Sequence, residues 1–148
     1  MAEAILNYVG KDRFKAYSAG SQSNGTVHPN AIAVISQAGC ERSTLRSKCW
    51  DEFATPDAPV MDFIITLCDN AAGEACPAWP GHPISAHWNF EDPAAFSGTA
   101  DEKMEVFHKV FRQILSRVNI FNSLPLLVLE KGAIKHELDK IGLTDACT

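Results

Sequence analysis

The chain has 148 residues, 46% of them hydrophobic, which is enough to bury one core, so we expect a single domain over residues 1–148. Its net charge is −5 and its pI about 5.5, with acids and bases well mixed, which argues against nucleic-acid or anionic-membrane partners. No apolar stretch is long enough to cross a bilayer, and the N-terminus lacks the basic start of a signal peptide. Five cysteines, an odd number in a chain that can fold without disulfides, predict reduced thiols and a cytoplasmic location.

The first third of the chain predicts two helices separated by a strand. Apolar residues at helical spacing predict a helix that starts at the first residues and ends at Gly10; they are Ala2, Ile5, Tyr8 and Val9. The alternating residues 13–18 predict a strand. His28 and Pro29 open a second helix, because proline suits a first turn, and Gly39 ends it. Its expected inward residues are Ala31, Ile32, Ile35 and Ala38.

The remaining chain predicts two short strands and two helices. The apolar run 61–67 is typical of a strand buried on both faces of a parallel sheet, and 84–88 is a briefer strand candidate. Thr99 and Glu102 match a capping box that opens the longest helix. The core face of that helix is Met104, Phe107, Phe111, Ile114, Val118 and Phe121. Residues 124–129 are ambiguous, and a last helix presents Ile134, Leu138 and Ile141. Strands separated by helices predict an α/β fold with a parallel sheet.

Two cysteines, Cys68 and Cys76, stand in one short polar loop directly after the apolar run. A loop with Gly73 and three alanines is able to bend until the two sulfurs reach bonding distance, which favours a pair that alternates between dithiol and disulfide. The alternative is that both are small buried hydrophobic residues. Zinc is less favoured, since no second Cys or His pair has ligand-like spacing.

Asp92 precedes Pro93, which biases its backbone toward an extended conformation. It is a candidate proton donor to a leaving group, and the alternative is that it only starts a turn or caps a helix. We interpret His82, His87 and Trp88 as packing and hydrogen-bonding residues rather than metal ligands.

Residues 40–47 fit the Cys-x5-Arg-Ser pattern of phosphatase anion loops, with Cys40 and Arg46 at the two key positions. Such loops hold an oxyanion with backbone N–H groups, a helix N-terminus and an arginine fork. They follow a buried strand, whereas Cys40 follows a helix and its Gly39 stop. The loop has no glycine, and Glu41 lies beside the would-be nucleophile, so we interpret the match as a coincidence. Cys49 and Cys147 have no assigned role.

Several motifs in order along nearly the whole chain give it a resemblance to bacterial arsenate reductases built on the low-molecular-weight protein tyrosine phosphatase fold. The motifs are Met1-Ala-Glu-Ala-Ile-Leu-Asn7, Tyr17-Ser-Ala-Gly-Ser21, His28-Pro29, Ser47-Lys48, Trp50-Asp-Glu-Phe53, Cys68-Asp-Asn-Ala-Ala-Gly-Glu-Ala-Cys76-Pro77, His87-Trp88 and Asp92-Pro93. The double-cysteine loop is the most specific of them, because plain phosphatases of this fold lack the pair.

The resemblance implies a relay of three thiols with no metal or organic cofactor. A cysteine of the family's N-terminal anion loop attacks arsenate while the residue matching Asp92 acts as general acid. The residue matching Cys68 then releases arsenite, and the one matching Cys76 resolves the disulfide for reduction by thioredoxin or a glutaredoxin system. Some relatives bind potassium near the anion loop, but Lys48 stands where an acidic ligand is expected, so we predict no potassium site.

The family's anion loop and first strand come just before the residues that match Met1-Ala-Glu3. The resemblance therefore implies a chain that lacks the nucleophile, the arginine fork and a central strand. Two alternatives to the reductase stay open: a phosphatase of the same fold, and a non-catalytic homologue that binds partners or senses redox state through the cysteine pair.

Overall fold

A computed structural model of the chain describes residues 1–23, 25–68 and 77–144. Within these ranges it contains four α-helices, two β-strands and a short 3-10 helix. They are α1 (Ala2–Val9), α2 (Pro29–Gln37), the 3-10 helix (Trp50–Phe53), β1 (Phe63–Thr66), β2 (Ile84–His87), α3 (Ala100–Ser123) and α4 (Lys131–Leu143). The predicted α/β fold with a small parallel sheet is confirmed, and each predicted helix is present.

The two strands pair in parallel, with Phe63 opposite Ile84 and Thr66 opposite His87. Backbone pairing continues beyond the strands, because the Phe90 N–H donates to the Leu67 carbonyl at 3.0 Å. The carboxyl ends of both strands therefore lie at one edge of the sheet. The residues of β1 are half-buried, so the prediction of burial on both faces is wrong.

Helix α3 is the element around which the others pack, since it contacts α1, α2 and α4. It opens with the predicted capping box: the Thr99 hydroxyl accepts from Glu102 N–H at 3.2 Å, and the Glu102 carboxylate accepts from Thr99 N–H at 2.8 Å. Its predicted core residues are buried except Met104, which is half-buried.

The main core centres on Phe121 near the end of α3. Its ring stacks on Phe14 at a centroid distance of 4.6 Å and meets Phe63 and Trp88 edge-on at 5.3 Å and 6.0 Å. Because these partners come from the segment after α1 and from both strand regions, one aromatic cluster joins the helices to the sheet.

The strand predicted over residues 13–18 is wrong. The only pairing near it in the described residues is an isolated parallel bridge between Gly20 and Cys49. The Asn7 side chain takes the place of a partner strand, because its amide accepts from Ala16 N–H at 2.8 Å and donates to Ala16 C=O at 3.0 Å. A side chain that satisfies both backbone groups of a residue removes the need for a ladder there.

Two predicted helix faces are rotated from their true positions. On α1 Tyr8 is 57% exposed whereas Glu3 and Ala4 are buried, and on α2 Ala38 is exposed whereas Val34 is buried. The α1 rotation has a physical cause, because a buried charge partner for Glu3 lies on a distant segment, as described below. The ambiguous residues 124–129 form turns, with Leu127 fully exposed.

Candidate active site

Cys68 lies at the carboxyl end of β1, two residues beyond Thr66, and is half-buried. The apolar run before it forms the strand, so the strand fixes the position of the thiol. Its predicted partner Cys76, together with residues 69–75, lies outside the described residues. The Cys68–Cys76 pair therefore stays a prediction.

The ends of the two strands are joined by side chains as well as backbone. Thr66 Oγ1 lies 2.8 Å from His87 Nδ1, and the buried Trp88 Nε1 donates to the Leu138 carbonyl of α4 at 3.0 Å. These contacts agree with the interpretation of His87 and Trp88 as hydrogen-bonding and packing residues. His82 is different: it is exposed, at a φ of 51° in a turn after Gly81.

Asp92 is exposed and forms a turn with the residues after it. Its Oδ1 accepts from the Ala94 N–H at 2.9 Å, and its carbonyl accepts from the Ala95 N–H at 3.2 Å. This is the turn-forming role raised as the alternative from the sequence. A carboxyl group oriented by a turn delivers a proton only in its protonated form, and this role of Asp92 stays a prediction.

The segment from residue 89 to residue 94, which carries Asp92, is attached to α3 at three points. Arg117 Nη1 donates to the Asn89 carbonyl at 3.0 Å. Lys109 Nζ lies 2.6 Å from Glu91 Oε1, and Lys103 Nζ donates to the Ala94 carbonyl at 3.2 Å. Arg117 was not predicted from the sequence as a site residue, because it stands among the apolar core residues of α3 without any motif of its own.

A buried ion pair joins α1 to the segment before the 3-10 helix. Lys48 Nζ lies 3.0 Å from Glu3 Oε2, with only 4% and 7% of the two side chains exposed. The Ser18 hydroxyl also donates to Glu3 Oε2, and Lys48 Nζ donates to the Arg46 carbonyl at 3.2 Å. From the sequence, Lys48 stood out only as a basic residue where the family's potassium site needs an acidic one. Its pairing with Glu3 was not predicted, because the two residues lie 45 positions apart in the chain.

An open cleft of about 670 Å³ adjoins this ion pair. Its lining mixes acidic, basic and apolar side chains, among them Lys15, Tyr17, Leu45, Arg46 and Glu52. A lining of mixed charge does not concentrate anions, so the cleft is not by itself an oxyanion site.

The Cys40 loop has the wrong chemistry for an anion cradle. Cys40 is only 7% exposed and packs against Ala4 and Ile35. Burial raises the pKa of its thiol, which disfavours the reactive thiolate. The Glu41 carboxylate accepts hydrogen bonds from the backbone N–H groups of Arg42 and Ser43, at 2.8 Å each, so these N–H groups do not face an oxyanion. Hydrogen bonds from Ser43 and Arg42 accordingly hold the pKa of Glu41 below its usual value.

Arg46, the arginine of the Cys-x5-Arg-Ser pattern, is also bonded to a carboxylate of the chain. Arg46 forms a two-point fork with Glu52 at 2.9 Å and 2.5 Å, and these hydrogen bonds lower the pKa of Glu52. Both groups that a cradle would offer to an oxyanion are therefore bonded to the chain's own carboxylates.

The described residues offer neither a metal site nor a membrane span. No group of three or more His, Cys, Asp or Glu side chains there is arranged to hold a metal ion. None of the helices in the same ranges is both long enough and apolar enough to cross a membrane.

Comparisons with known proteins agree on one group of relatives. An arsenate reductase of Halalkalibacterium halodurans is 38% identical over 114 residues, covering 77% of this chain and 78% of the relative. An arsenate reductase of Bacillus subtilis is 37% identical over 121 residues, covering 82% and 84%. A solved structure described as an arsenate reductase in the phosphate binding state matches with a TM-score of 0.64 and 30% identity, over 82% of this chain and 85% of its own.

A family model also matches most of the chain. A sequence model of the family described as low molecular weight phosphotyrosine protein phosphatase matches residues 1–125. This range includes both strands, Cys68 and Asp92. The resemblance inferred from the motifs is thus confirmed, and the chain belongs to the low molecular weight phosphotyrosine protein phosphatase family.

Proposed function

We propose that the chain is an oxidoreductase that acts in the reduction of arsenate to arsenite, with Cys68 and Cys76 as redox thiols and Asp92 as proton donor. The observation that carries this proposal is the hydrogen bond from Phe90 N–H to the Leu67 carbonyl at 3.0 Å. Cys68 follows one side of this contact and Asp92 follows the other, so the thiol and the acid leave the sheet at the same edge. The relatives described as arsenate reductases support the substrate.

The chemistry requires a thiol–arsenate adduct as the species that Cys68 attacks. The adduct forms when a thiolate attacks arsenic and an oxygen leaves as water or hydroxide, for which Asp92 supplies the proton. The Cys68 thiolate then attacks the sulfur of the adduct. A sulfur–sulfur bond forms, the sulfur–arsenic bond breaks, and its electron pair stays on arsenic, which departs as arsenite.

The second loop cysteine completes the cycle. The Cys76 thiolate attacks Cys68 Sγ, a Cys68–Cys76 disulfide forms, and the first thiol is expelled and takes up a proton. A dithiol protein, thioredoxin or a glutaredoxin system, returns the pair to the reduced state. This reductant and the reduced thiols suit a cytoplasmic protein.

Arsenite formation tests the proposal. The chain is mixed with arsenate, glutathione as a source of the first thiol, thioredoxin, thioredoxin reductase and NADPH, and arsenite is quantified. We expect Cys68→Ser to lower arsenite formation to the rate measured without the chain, because the protein then has no thiol at the sheet edge to attack the adduct and free glutathione reacts only at its background rate. We expect Cys76→Ser to accumulate a mixed disulfide of Cys68 with glutathione, detectable by intact mass. Replacing thioredoxin with glutaredoxin identifies the reductant.

The half-buried Cys49 provides a matched control, because its thiol lies near Ser21 and Asp51 rather than at the sheet edge. Cys49→Ser should form arsenite at the rate of the unchanged chain. Equal arsenite formation by the Cys68→Ser variant would refute the relay. Absence of arsenite with every thiol source would instead favour a non-catalytic homologue.

A further inference from the structure

We propose that Arg117 is a positioning residue that holds the segment of residues 89–94, and with it Asp92, against the Cys68 end of β1. The part of this inference that concerns Asp92 as an acid rests on the proposed function. The part that concerns the position of the segment stands on the contacts of Arg117 alone.

Arg117 places a cation inside the protein at the junction of three elements. Arg117 is only 8% exposed and lies on the buried face of α3, among its apolar core residues. Nη1 donates to the Asn89 carbonyl at 3.0 Å, and Nη2 donates to the Thr144 carbonyl at 3.1 Å. One guanidinium thereby ties α3 to the segment that follows β2 and to the end of α4.

The Arg117 guanidinium also contacts Phe90, the residue after Asn89. The guanidinium carbon lies 4.4 Å above the centre of the Phe90 ring, a cation–π contact with a buried aromatic side chain. Phe90 N–H in turn donates to the Leu67 carbonyl, one residue before Cys68. Arg117 is therefore linked to the thiol end of β1 through a single intervening residue.

The other attachments of the segment to α3 are exposed to solvent, which weakens them. Lys109 and Glu91 are both about half exposed, and ion pairs of this kind contribute little because water screens them. The hydrogen bond from Lys103 to the Ala94 carbonyl is exposed as well. Hydrogen bonds from a buried guanidinium are charge-assisted and less screened by water, so Arg117 is the strongest of the three attachments of the segment to α3.

A lysine at position 117 cannot make the same set of contacts as the arginine. A guanidinium presents several N–H donors in a fixed plane, which lets it reach two carbonyls of different segments and keep its face on Phe90. An ammonium has neither the plane nor the fixed fork. Because a displacement of roughly 1 Å in a catalytic group is able to cost about 100-fold in rate, the fork matters for the acid.

Amide hydrogen exchange on the full chain tests the positioning directly. The variants are Arg117→Lys and Arg117→Gln, and Arg112→Lys is the matched control because Arg112 is exposed on the same helix. We expect exchange of the amides in residues 89–95 to rise by about tenfold or more in both Arg117 variants, with α1 unchanged. Exchange in residues 89–95 equal to that of the control would overturn the proposal.

A rate comparison in the Asp92→Asn background gives a readout that a merely structural role would not produce. If Arg117 acts through Asp92, Arg117→Lys lowers arsenite formation by about tenfold in the unchanged chain and by less than about twofold when Asp92 is already Asn. Equal losses in the two backgrounds would refute positioning of the acid. A rate that Asp92→Asn leaves unchanged would refute the proposed acid instead, and the exchange data would still decide where Arg117 holds the segment.

Discussion

Removal of one partner from the buried Glu3–Lys48 pair should be among the most destabilising single changes in the chain. The proposed substitution is Lys48→Met, which keeps the length and apolar stem of the side chain but removes the ammonium. It leaves the Glu3 carboxylate 7% exposed, with the Ser18 hydroxyl as its remaining hydrogen-bond donor among the described residues and the Met1 ammonium as a nearby charge.

The magnitude follows from the distance and the burial. At 3.0 Å the attraction between the two charges is about 5 kcal/mol for an effective dielectric constant near 20. Desolvation of both ions offsets much of this attraction in the intact pair, but removing one partner leaves the other uncompensated, at a cost of about 3 to 5 kcal/mol. We therefore expect Lys48→Met to lower the free energy of unfolding by that amount.

Urea denaturation followed by circular dichroism measures the effect. Glu3→Gln combined with Lys48→Met should recover most of the lost stability, because a neutral amide in place of the carboxylate carries a smaller desolvation cost. Lys140→Met is the control, since Lys140 forms an exposed pair with Glu137 and its loss should change stability by less than about 1 kcal/mol. A loss below about 1 kcal/mol for Lys48→Met would show that water reaches Glu3 and would refute the reasoning.

Three other changes have expected outcomes. Phe121→Ala should cost about 3 to 5 kcal/mol in urea denaturation, because Phe121 is almost fully buried; a cost near zero would mean that the cluster repacks. Gly142→Ala should cost about 1 to 3 kcal/mol despite the helix preference for alanine, because the new Cβ would lie 2.3 Å from the His87 carbonyl oxygen. The Thr99 N–H and hydroxyl hold the pKa of Glu102 below its usual value, so its contribution is present above the unfolded pKa and lost as the pH falls through the folded one. The difference in melting temperature between Glu102→Ala and the unchanged chain should therefore narrow below about pH 4.5, and a constant difference would contradict the assignment.

Local physical chemistry made much of the fold predictable from the sequence. The capping box at Thr99 and the apolar spacing of α3 act within a few residues of the chain, so the start and buried face of the helix follow from its own sequence. The short apolar run before Cys68 likewise identifies β1. Cys68 and Asp92 could be named as candidates because a motif, rather than a distance, marks each of them.

What the sequence by itself determined is the four helices, the two strands of the sheet and the order of the motif residues, because helix periodicity, capping and turn preferences are local. What only the tertiary structure decided is how distant charges and amides pair. The Asn7 amide satisfies Ala16 and removes a predicted strand, Glu3 turns α1 toward Lys48, and Arg117 reaches the segment that carries Asp92. These contacts span 9, 45 and 28 residues, and such long-range partners leave no periodic signal, because a buried polar group is satisfied by whichever group the fold brings beside it.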